Sequence, residues 1–230
     1  MKKKNFSFPM KKSERVLGIV QIPVHALLIP FALAFVLALM NIKLSDPYVT
    51  LISYTFSFLY SIGLLFSFFR KSFSDFIDGF WRSVQAVILG YVLYFALLIA
   101  LSLALSFFTQ SENPNTEEVL RQAKLNSNVM FVIAVMLAPI VEEGAFRGAL
   151  FGTIRQKSRV AAYIVSALVF SVYHLWPYFI GGFSAESLLL LLQYVPASIA
   201  LAWCYEKSGN IWSPILLHAI VNAASIIQVR

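Results

Sequence analysis

The sequence predicts an all-α membrane protein, a polytopic helical bundle of about seven (six to eight) transmembrane helices. Its 230 residues are 59% hydrophobic and 13% charged, whereas soluble domains carry about 25% charged residues. The mean hydropathy is +0.76, and apolar runs long enough to cross a bilayer recur along the whole chain. Each run is predicted to be helical, because a segment in lipid must satisfy its own backbone hydrogen bonds.

Seven apolar runs define the predicted crossings. They lie at roughly 17–40, 49–69, 83–108, 128–154, 160–179, 185–205 and 211–228. After the second run, the connection at 70–82 places apolar residues at helical spacing between charged ones. That pattern predicts a short helix that lies in the cytoplasmic interface.

Lysine and arginine residues set the predicted orientation. Most of those outside the apolar runs fall in the N-terminal arm and in the connections at 70–82 and 155–159. With seven crossings these three segments share one side of the membrane, and cytoplasmic segments are the ones enriched in lysine and arginine. We therefore expect a cytoplasmic N-terminus and an external C-terminus. An eighth crossing or a re-entrant segment would reverse the expectation for the C-terminus.

The net charge and the cysteine count exclude several other classes of protein. The net charge of +7 is concentrated in these connections, so no nucleic-acid partner is predicted. Cys204 is the single cysteine. An internal disulfide is therefore excluded, and Cys204 is expected to be a small buried hydrophobic residue. The sequence contains no glycine-rich phosphate loop and no His-Glu-x-x-His motif.

Three charged residues lie inside the fourth apolar run, namely Glu142, Glu143 and Arg147. Ionised groups in hydrocarbon are costly and usually functional. Glu143 and Arg147 are four residues apart and are expected to form an ion pair, which leaves Glu142 freer to act as a base. On an α-helix the two glutamates point about 100° apart, so they cannot face the same atom unless the helix is locally distorted. Pro139, three residues before Glu142, is a source of such distortion because it removes a backbone hydrogen bond.

Two later runs carry polar side chains at a similar depth. His174 lies in the fifth run, and His218 lies in the seventh with Asn222 four residues on. Counted from the cytoplasmic ends at about 1.5 Å per residue, Glu142, His174, His218 and Asn222 lie roughly 18, 21, 11 and 17 Å deep. This common depth favours one site over separate packing roles. His25 has no matching polar residues of this kind and is expected to be a packing or kink residue.

These residue types leave two chemistries open. A glutamate with a histidine activates a water, and a second histidine with an asparagine amide stabilises an oxyanion, which together hydrolyse an amide. One glutamate and two histidines are also the ligand set of many catalytic zinc sites. We expect no required cofactor as the first choice, with a divalent metal such as zinc as the alternative. In that case the candidate ligands are Glu142, Glu143, His174 and His218.

The motif residues of this chain resemble those of a known family. The motifs, in chain order, are Glu142-Glu143-x-x-x-Arg147, Phe170-x-x-x-His174 and His218-x-x-x-Asn222. This series resembles that of the CAAX-protease and bacteriocin-processing (CPBP, or Abi) family of intramembrane endopeptidases. The resemblance covers about residues 128–228 and implies a CPBP-like catalytic core at 128–230. Charge and hydropathy predict a basic cytoplasmic arm at 1–16 and accessory helices with an interfacial helix at 17–127 before it.

The resemblance also implies a role for each motif. The first glutamate, Glu142, and His174 would activate water, and the third motif, His218 and Asn222, would stabilise the oxyanion. The remaining pair, Glu143 and Arg147, would support the site. Members were long described as metalloproteases and were later regarded as glutamate-dependent, and the missing His-Glu-x-x-His motif favours the second description.

The sequence thus predicts a multi-pass endopeptidase of a cell membrane, expected to be a bacterial plasma membrane. Its partners would be the lipid bilayer and a peptide or lipidated-protein substrate, cleaved near the cytoplasmic half of the bilayer. One alternative is a bacteriocin self-immunity protein that binds a peptide without cleaving it. A second is a transporter or proton relay, for which paired broken helices would be expected.

Overall fold

The computed structural model describes residues 9–109, 113–180, 182 and 184–227. These residues form helices and, within the described ranges, no strand. Numbered in chain order, the helices are α1 (Lys12–Leu39), α2 (Asp46–Leu64), α3 (Phe66–Asp78), α4 (Phe80–Leu105), α5 (Pro114–Leu125), α6 (Ser127–Arg155), α7 (Arg159–Phe179), α8 (Ser187–Ser208) and α9 (Trp212–Ile227). Residues 1–8 of the predicted arm and the C-terminal residues 228–230 lie outside the described residues.

The all-helical membrane class is confirmed. Among the described residues, five helices (α1, α4, α6, α7 and α8) are long and apolar enough to cross a membrane. The pair formed by α2 and α3 makes a sixth if it is counted as one span, and α9 is apolar but shorter. The chain is therefore a multi-pass membrane protein, and its helices match the predicted runs closely.

The predicted interfacial helix differs from the observed one in where it begins. The second run is predicted to extend to residue 69, but helix α2 ends at Leu64 and α3 begins at Phe66 after a bend of 79°. Phe68 and Phe69 of α3 are buried in the main apolar core. The helix therefore starts four residues earlier than the charge pattern indicates, because two phenylalanines on one of its faces pack against the bundle.

The basic connections gather at one end of the bundle, which we call the basic end. It holds Arg70, Lys71, Arg82, Arg155, Lys157, Arg159 and Lys207. There Glu206 accepts hydrogen bonds from Arg155, from Arg159 at 3.0 Å and from Tyr163 at 2.8 Å. These bonds join the end of α8 to the connection between α6 and α7.

The opposite end, which we call the α5 end, is covered by helix α5. Asn113 caps this helix, because its side-chain oxygen accepts from the backbone N–H groups of Asn115 and Thr116 at 3.1 and 3.3 Å. Arg121 donates to Asp46 at the start of α2 and to Glu118. The hydrogen bonds from Arg121 lower the pKa of the Glu118 carboxyl group, so Glu118 and Arg121 carry opposite charges here.

Helix α6 lies at the centre of the bundle and approaches its neighbours closely. At Gly18 of α1, an added Cβ would lie 2.5 Å from the Cβ of Ala149. At Gly144 and Gly148 it would lie 2.9 Å from the rings of Phe69 and Phe68. Small residues at these positions let the helices pack in contact, as is usual where membrane helices associate.

Cys204 occupies the environment that the sequence indicates. It is fully buried and packs in an apolar cluster with Ala86, Leu201 and Leu217. It therefore contributes to packing between α4, α8 and α9.

Candidate active site

Helix α6 departs from regular geometry on both sides of the glutamates. The short α-helical stretch Ala138–Glu143 lies between two π-helical segments, Val132–Leu137 and Gly144–Phe151. The distortion expected near Pro139 is thus present as two wide turns. Such turns change the direction in which neighbouring side chains project and often occur at functional sites.

The two adjacent glutamates face the two nitrogens of one imidazole. Oε1 of Glu143 lies 2.8 Å from Nδ1 of His218, and Oε2 of Glu142 lies 3.9 Å from Nε2 of the same ring. A carboxylate only accepts, so the Nδ1 of His218 donates to Glu143. The structure therefore brings the first and third motifs together around His218.

Glu143 and Arg147 form the ion pair that their spacing predicts. Nη1 of Arg147 donates to Oε1 of Glu143 at 3.0 Å, and both side chains are 0% exposed. The guanidinium carbon also lies 4.3 Å from the ring centre of Phe170 in the second motif. Because the same oxygen of Glu143 accepts from His218, Glu143 orients a site residue as well as balancing a charge.

Glu142 has one occupied and one unoccupied carboxylate oxygen. Oε1 accepts a hydrogen bond from the hydroxyl of Tyr54 at 3.0 Å. Oε2 is buried and accepts no hydrogen bond from the described residues. It faces Nε2 of His174 at 3.6 Å, which is too long for a direct hydrogen bond and is a separation at which one water bridges two polar groups.

His174 is fixed by a backbone hydrogen bond and by ring stacking. Its Nδ1 lies 2.8 Å from the carbonyl oxygen of Phe170. A carbonyl oxygen only accepts, so Nδ1 carries the proton and the lone pair of Nε2 points towards Glu142 when the ring is neutral. The imidazole stacks on Tyr194 with the ring centres 4.6 Å apart.

Asn222 lies beside these residues, but part of its amide is already engaged. Its Nδ2 donates to the carbonyl oxygen of Ala134 at 2.8 Å. Ala134 belongs to the π-helical segment Val132–Leu137 of α6. A side-chain amide has two N–H groups, so one remains for a ligand.

His25 is closer to the site than its sequence context indicates. Its Nδ1 lies 2.5 Å from the hydroxyl of Ser57, and its ring centre lies 4.5 Å from that of Tyr54. The sequence did not indicate these contacts, because Ser57 and Tyr54 lie in a different helix, α2. His25 does lie in a π-helical turn, Val24–Leu28, in keeping with the expected kink.

Three tyrosines at the site were not singled out from the sequence. Tyr54 holds Glu142, Tyr194 stacks on His174, and Tyr173 lies against His25 and His174. One sequence signal was available for Tyr54. The serines beside it, at 53, 57 and 61, recur every four residues and mark a polar stripe on α2.

A cavity of about 710 Å³ adjoins these side chains. Glu142, His174, His218 and Asn222 lie along its wall together with apolar residues from α4, α6, α8 and α9. It extends to α5, which contributes Glu118 to the lining. A pocket of this size that combines apolar walls with a few polar groups is suited to binding a ligand.

A metal centre at this site would need about three protein side chains that converge on one ion. In the part of the chain that the structure describes, no group of three or more His, Cys, Asp or Glu side chains is arranged to hold a metal ion. Of the four candidate ligands, Glu143 is already engaged by Arg147 and His218.

The fold and the site define a multi-pass, all-helical membrane protein in which buried glutamates and histidines from three helices meet beside a cavity. Residues 124–224 match the family model described as "Type II CAAX prenyl endopeptidase Rce1-like". The match confirms, over these residues, the resemblance to the CPBP family. It includes all three motifs.

Curated relatives are also similar to this chain. "Putative membrane peptidase YdiL" of Bacillus subtilis (strain 168) is 26% identical over 118 residues, which are 51% of this chain and 43% of the relative. "UPF0177 protein YaiF" of Lactococcus lactis subsp. lactis (strain IL1403) is 36% identical over 95 residues, 40% of this chain and 37% of the relative. The chain thus spans less than half the length of these relatives. No solved structure matches it.

Proposed function

We propose that this protein is an intramembrane endopeptidase that hydrolyses a peptide bond of a membrane-associated peptide or protein. The observation that carries the proposal is the position of Oε2 of Glu142. This buried oxygen accepts no hydrogen bond from the described residues and faces Nε2 of His174 at 3.6 Å. Two hydrogen-bond acceptors at this separation can bind one water between them.

In the proposed reaction, the water donates one hydrogen to Glu142 and the other to Nε2 of His174. Glu142 takes a proton as the water oxygen attacks the carbonyl carbon, and the C–N bond then breaks as this proton passes to the leaving amine. Tyr54 holds the other oxygen of Glu142 at 3.0 Å. This hydrogen bond keeps the carboxylate oriented towards the water.

The oxyanion would be stabilised from the opposite side of the carbonyl. His218 fills this role if both its nitrogens are protonated, because Nδ1 already donates to Glu143 and Nε2 then donates to the oxyanion. With His218 doubly protonated, the two negative charges of Glu142 and Glu143 would be balanced by the two positive charges of Arg147 and His218. Such a balance is favourable because buried charges require partners. The free N–H of Asn222 is the second proposed donor.

The comparisons support a peptidase, and the family description names CAAX prenyl substrates for that family. The family description is that of an endopeptidase, and the name of the Bacillus subtilis relative gives a membrane peptidase. Both relatives described above are from bacteria. We extend these properties to this chain as a proposal, including its location in a bacterial plasma membrane.

The proposal is tested with purified protein in detergent. Synthetic peptides with an apolar segment are incubated with the parent protein, the His174→Ala variant and a Ser74→Ala control at the basic end. Products are identified by mass spectrometry. We expect cleavage by the parent and the control and loss of cleavage in His174→Ala. Equal cleavage by a folded His174→Ala protein would refute the assignment.

The cavity also supports the second function, peptide binding without hydrolysis. A wall with many apolar residues and a volume of about 710 Å³ would hold a peptide segment whether or not it is cut. If the protein protects cells from a bacteriocin by binding, the Glu142→Gln variant keeps that protection. If protection depends on hydrolysis, the same variant loses it.

A further inference from the structure

We propose that the peptide substrate reaches this site from the external face of the membrane, past helix α5. The substrate would then be an exported peptide, or the external part of a membrane protein, rather than a cytoplasmic tail. The identity of the ligand as a peptide rests on the proposed function. The side from which the cavity is entered rests on separate observations.

The cavity lies in the half of the bundle nearest the α5 end. Its lining residues come from the parts of the helices that are closest to α5. They include Thr50 and Tyr54 of α2, Leu98 to Thr109 of α4 and its extension, Met130 to Glu142 of α6, Phe170 and His174 of α7, and His218 to Ile226 of α9. The hydroxyl of Tyr194 donates to Asn113 at 3.1 Å, which ties the cap of α5 to the residue that stacks on His174.

The other half of the bundle is filled by apolar side chains. Between Arg147 and the basic end lie the buried residues of the main core, among them Met10, Phe68, Phe151 and Tyr205. The closest approaches in this region leave no room for a Cβ at Gly144 or Gly148. A peptide coming from the basic end would have to displace this core.

The charges at the two ends indicate which of them is cytoplasmic. The basic end carries the excess of lysine and arginine described above. At the α5 end the charges are mixed, with Asp46, Glu117, Glu118, Lys43, Arg121 and Lys124. Because lysine and arginine concentrate in cytoplasmic connections, the basic end faces the cytoplasm and the cavity faces outward.

The structure gives the depth of Glu142 relative to both ends of its helix. The sequence interpretation placed the reaction near the cytoplasmic half of the bilayer. In α6, 13 residues follow Glu142 and 15 precede it, so at about 1.5 Å per residue the carboxylate lies roughly 20 Å from each end. The reacting bond would be near the middle of the membrane, on a segment that enters from outside.

The orientation is measured by cysteine labelling. The native Cys204 is fully buried and is replaced in a Cys204→Ala background. Glu117→Cys at the α5 end and Lys157→Cys at the basic end introduce cysteines at two exposed positions. In intact spheroplasts, a membrane-impermeant maleimide is expected to label Glu117→Cys, and to label Lys157→Cys only after permeabilisation. The reverse pattern would overturn the proposal.

A second pair of labelling positions measures access to the cavity itself. Ser225 lines the cavity and is exposed, whereas Ser74 is exposed on α3 near the basic end. Serine and cysteine are close in size, so Ser225→Cys and Ser74→Cys form a matched pair. We expect the impermeant reagent to label only Ser225→Cys from outside. If Glu117→Cys is labelled and Ser225→Cys is not, the cavity is not entered from the external face and the proposal fails.

These labelling experiments do not depend on hydrolysis. An inactive protein with the expected labelling pattern would refute the endopeptidase proposal and leave the direction of access intact. An active protein with the reverse labelling pattern would support the endopeptidase proposal and refute access from the external face.

Discussion

The Nδ1 of His218 lies 2.8 Å from Oε1 of Glu143. This carboxylate oxygen also accepts from Arg147 at 3.0 Å, so one buried glutamate serves an ion pair and orients an imidazole. Glu142, the preceding residue, is left with an oxygen that faces the Nε2 atoms of both His174 and His218. The two glutamates therefore have different environments although they are adjacent in the chain.

Replacing Glu143 should weaken both the fold and the site. Glu143→Gln leaves the fully buried Arg147 without its charged partner, and breaking a buried ion pair in this way costs about 3–5 kcal/mol. It also weakens the hydrogen bond that orients His218. We expect a marked fall in thermal stability in detergent together with loss of cleavage. A Glu143→Gln protein that melts with the parent would contradict this account of the pair.

Removing the hydroxyl of Tyr54 should reduce the rate with little effect on the fold. A hydrogen bond to a charged group contributes about 1.5–3 kcal/mol, which corresponds to roughly a 10-fold to 100-fold lower rate for Tyr54→Phe if the bond acts in the transition state. The matched control is Tyr60→Phe on the same helix, whose hydroxyl donates to the backbone of Leu17 at 3.0 Å. Equal rates for the two variants would exclude a role for Tyr54 in positioning Glu142.

Removal of divalent metal should leave the activity unchanged. Among the described residues, no group of three or more His, Cys, Asp or Glu side chains is arranged to hold a metal ion. We therefore expect the same rate of peptide cleavage before and after dialysis against a chelator. Loss of activity on dialysis that returns on addition of zinc, with about one metal per active protein, would show that the metal-free mechanism is wrong.

Two glycine substitutions test the packing of α1 against α6. Gly18→Ala places a methyl group 2.5 Å from Ala149, and overpacking of this kind costs about 1–3 kcal/mol. Gly63→Ala is the control, because nothing lies within 4 Å of its added Cβ, and alanine favours a helix over glycine by about 1 kcal/mol. Melting temperatures should fall for Gly18→Ala and stay level or rise for Gly63→Ala. The opposite order would mean that α1 does not pack on α6 as described.

The sequence predicted the helices and the motif residues because both are marked by hydropathy. A charge or a histidine inside an apolar run stands out without any knowledge of the fold, as Glu142 and His174 do. Tyr54 and Tyr194 do not stand out in the same way, because tyrosine tolerates both lipid and water and the chain has 10 of them. Their roles depend on contacts between helices far apart in sequence.

The position of the cavity also required the structure. Hydropathy and charge give the direction in which each helix crosses, but they do not show which half of the bundle is filled. The half near the basic end is filled because Phe68 and Phe69 pack against α6 there. The bend between α2 and α3 places these two residues against the bundle. The depths estimated from the sequence were similar for all four polar residues and did not indicate a side of entry.

Glu142 is the proposed base that activates water. The most direct measurement is the rate of peptide cleavage by purified Glu142→Gln, compared with Glu117→Gln at the exposed surface of α5. Glutamine keeps the size of the side chain and cannot take the proton, and a general base contributes about 10²–10⁴-fold to a rate. We expect Glu142→Gln to fold like the parent and to lose cleavage by at least about 10²-fold, while Glu117→Gln cleaves at the parental rate. A folded Glu142→Gln protein that cleaves as fast as Glu117→Gln would contradict the account.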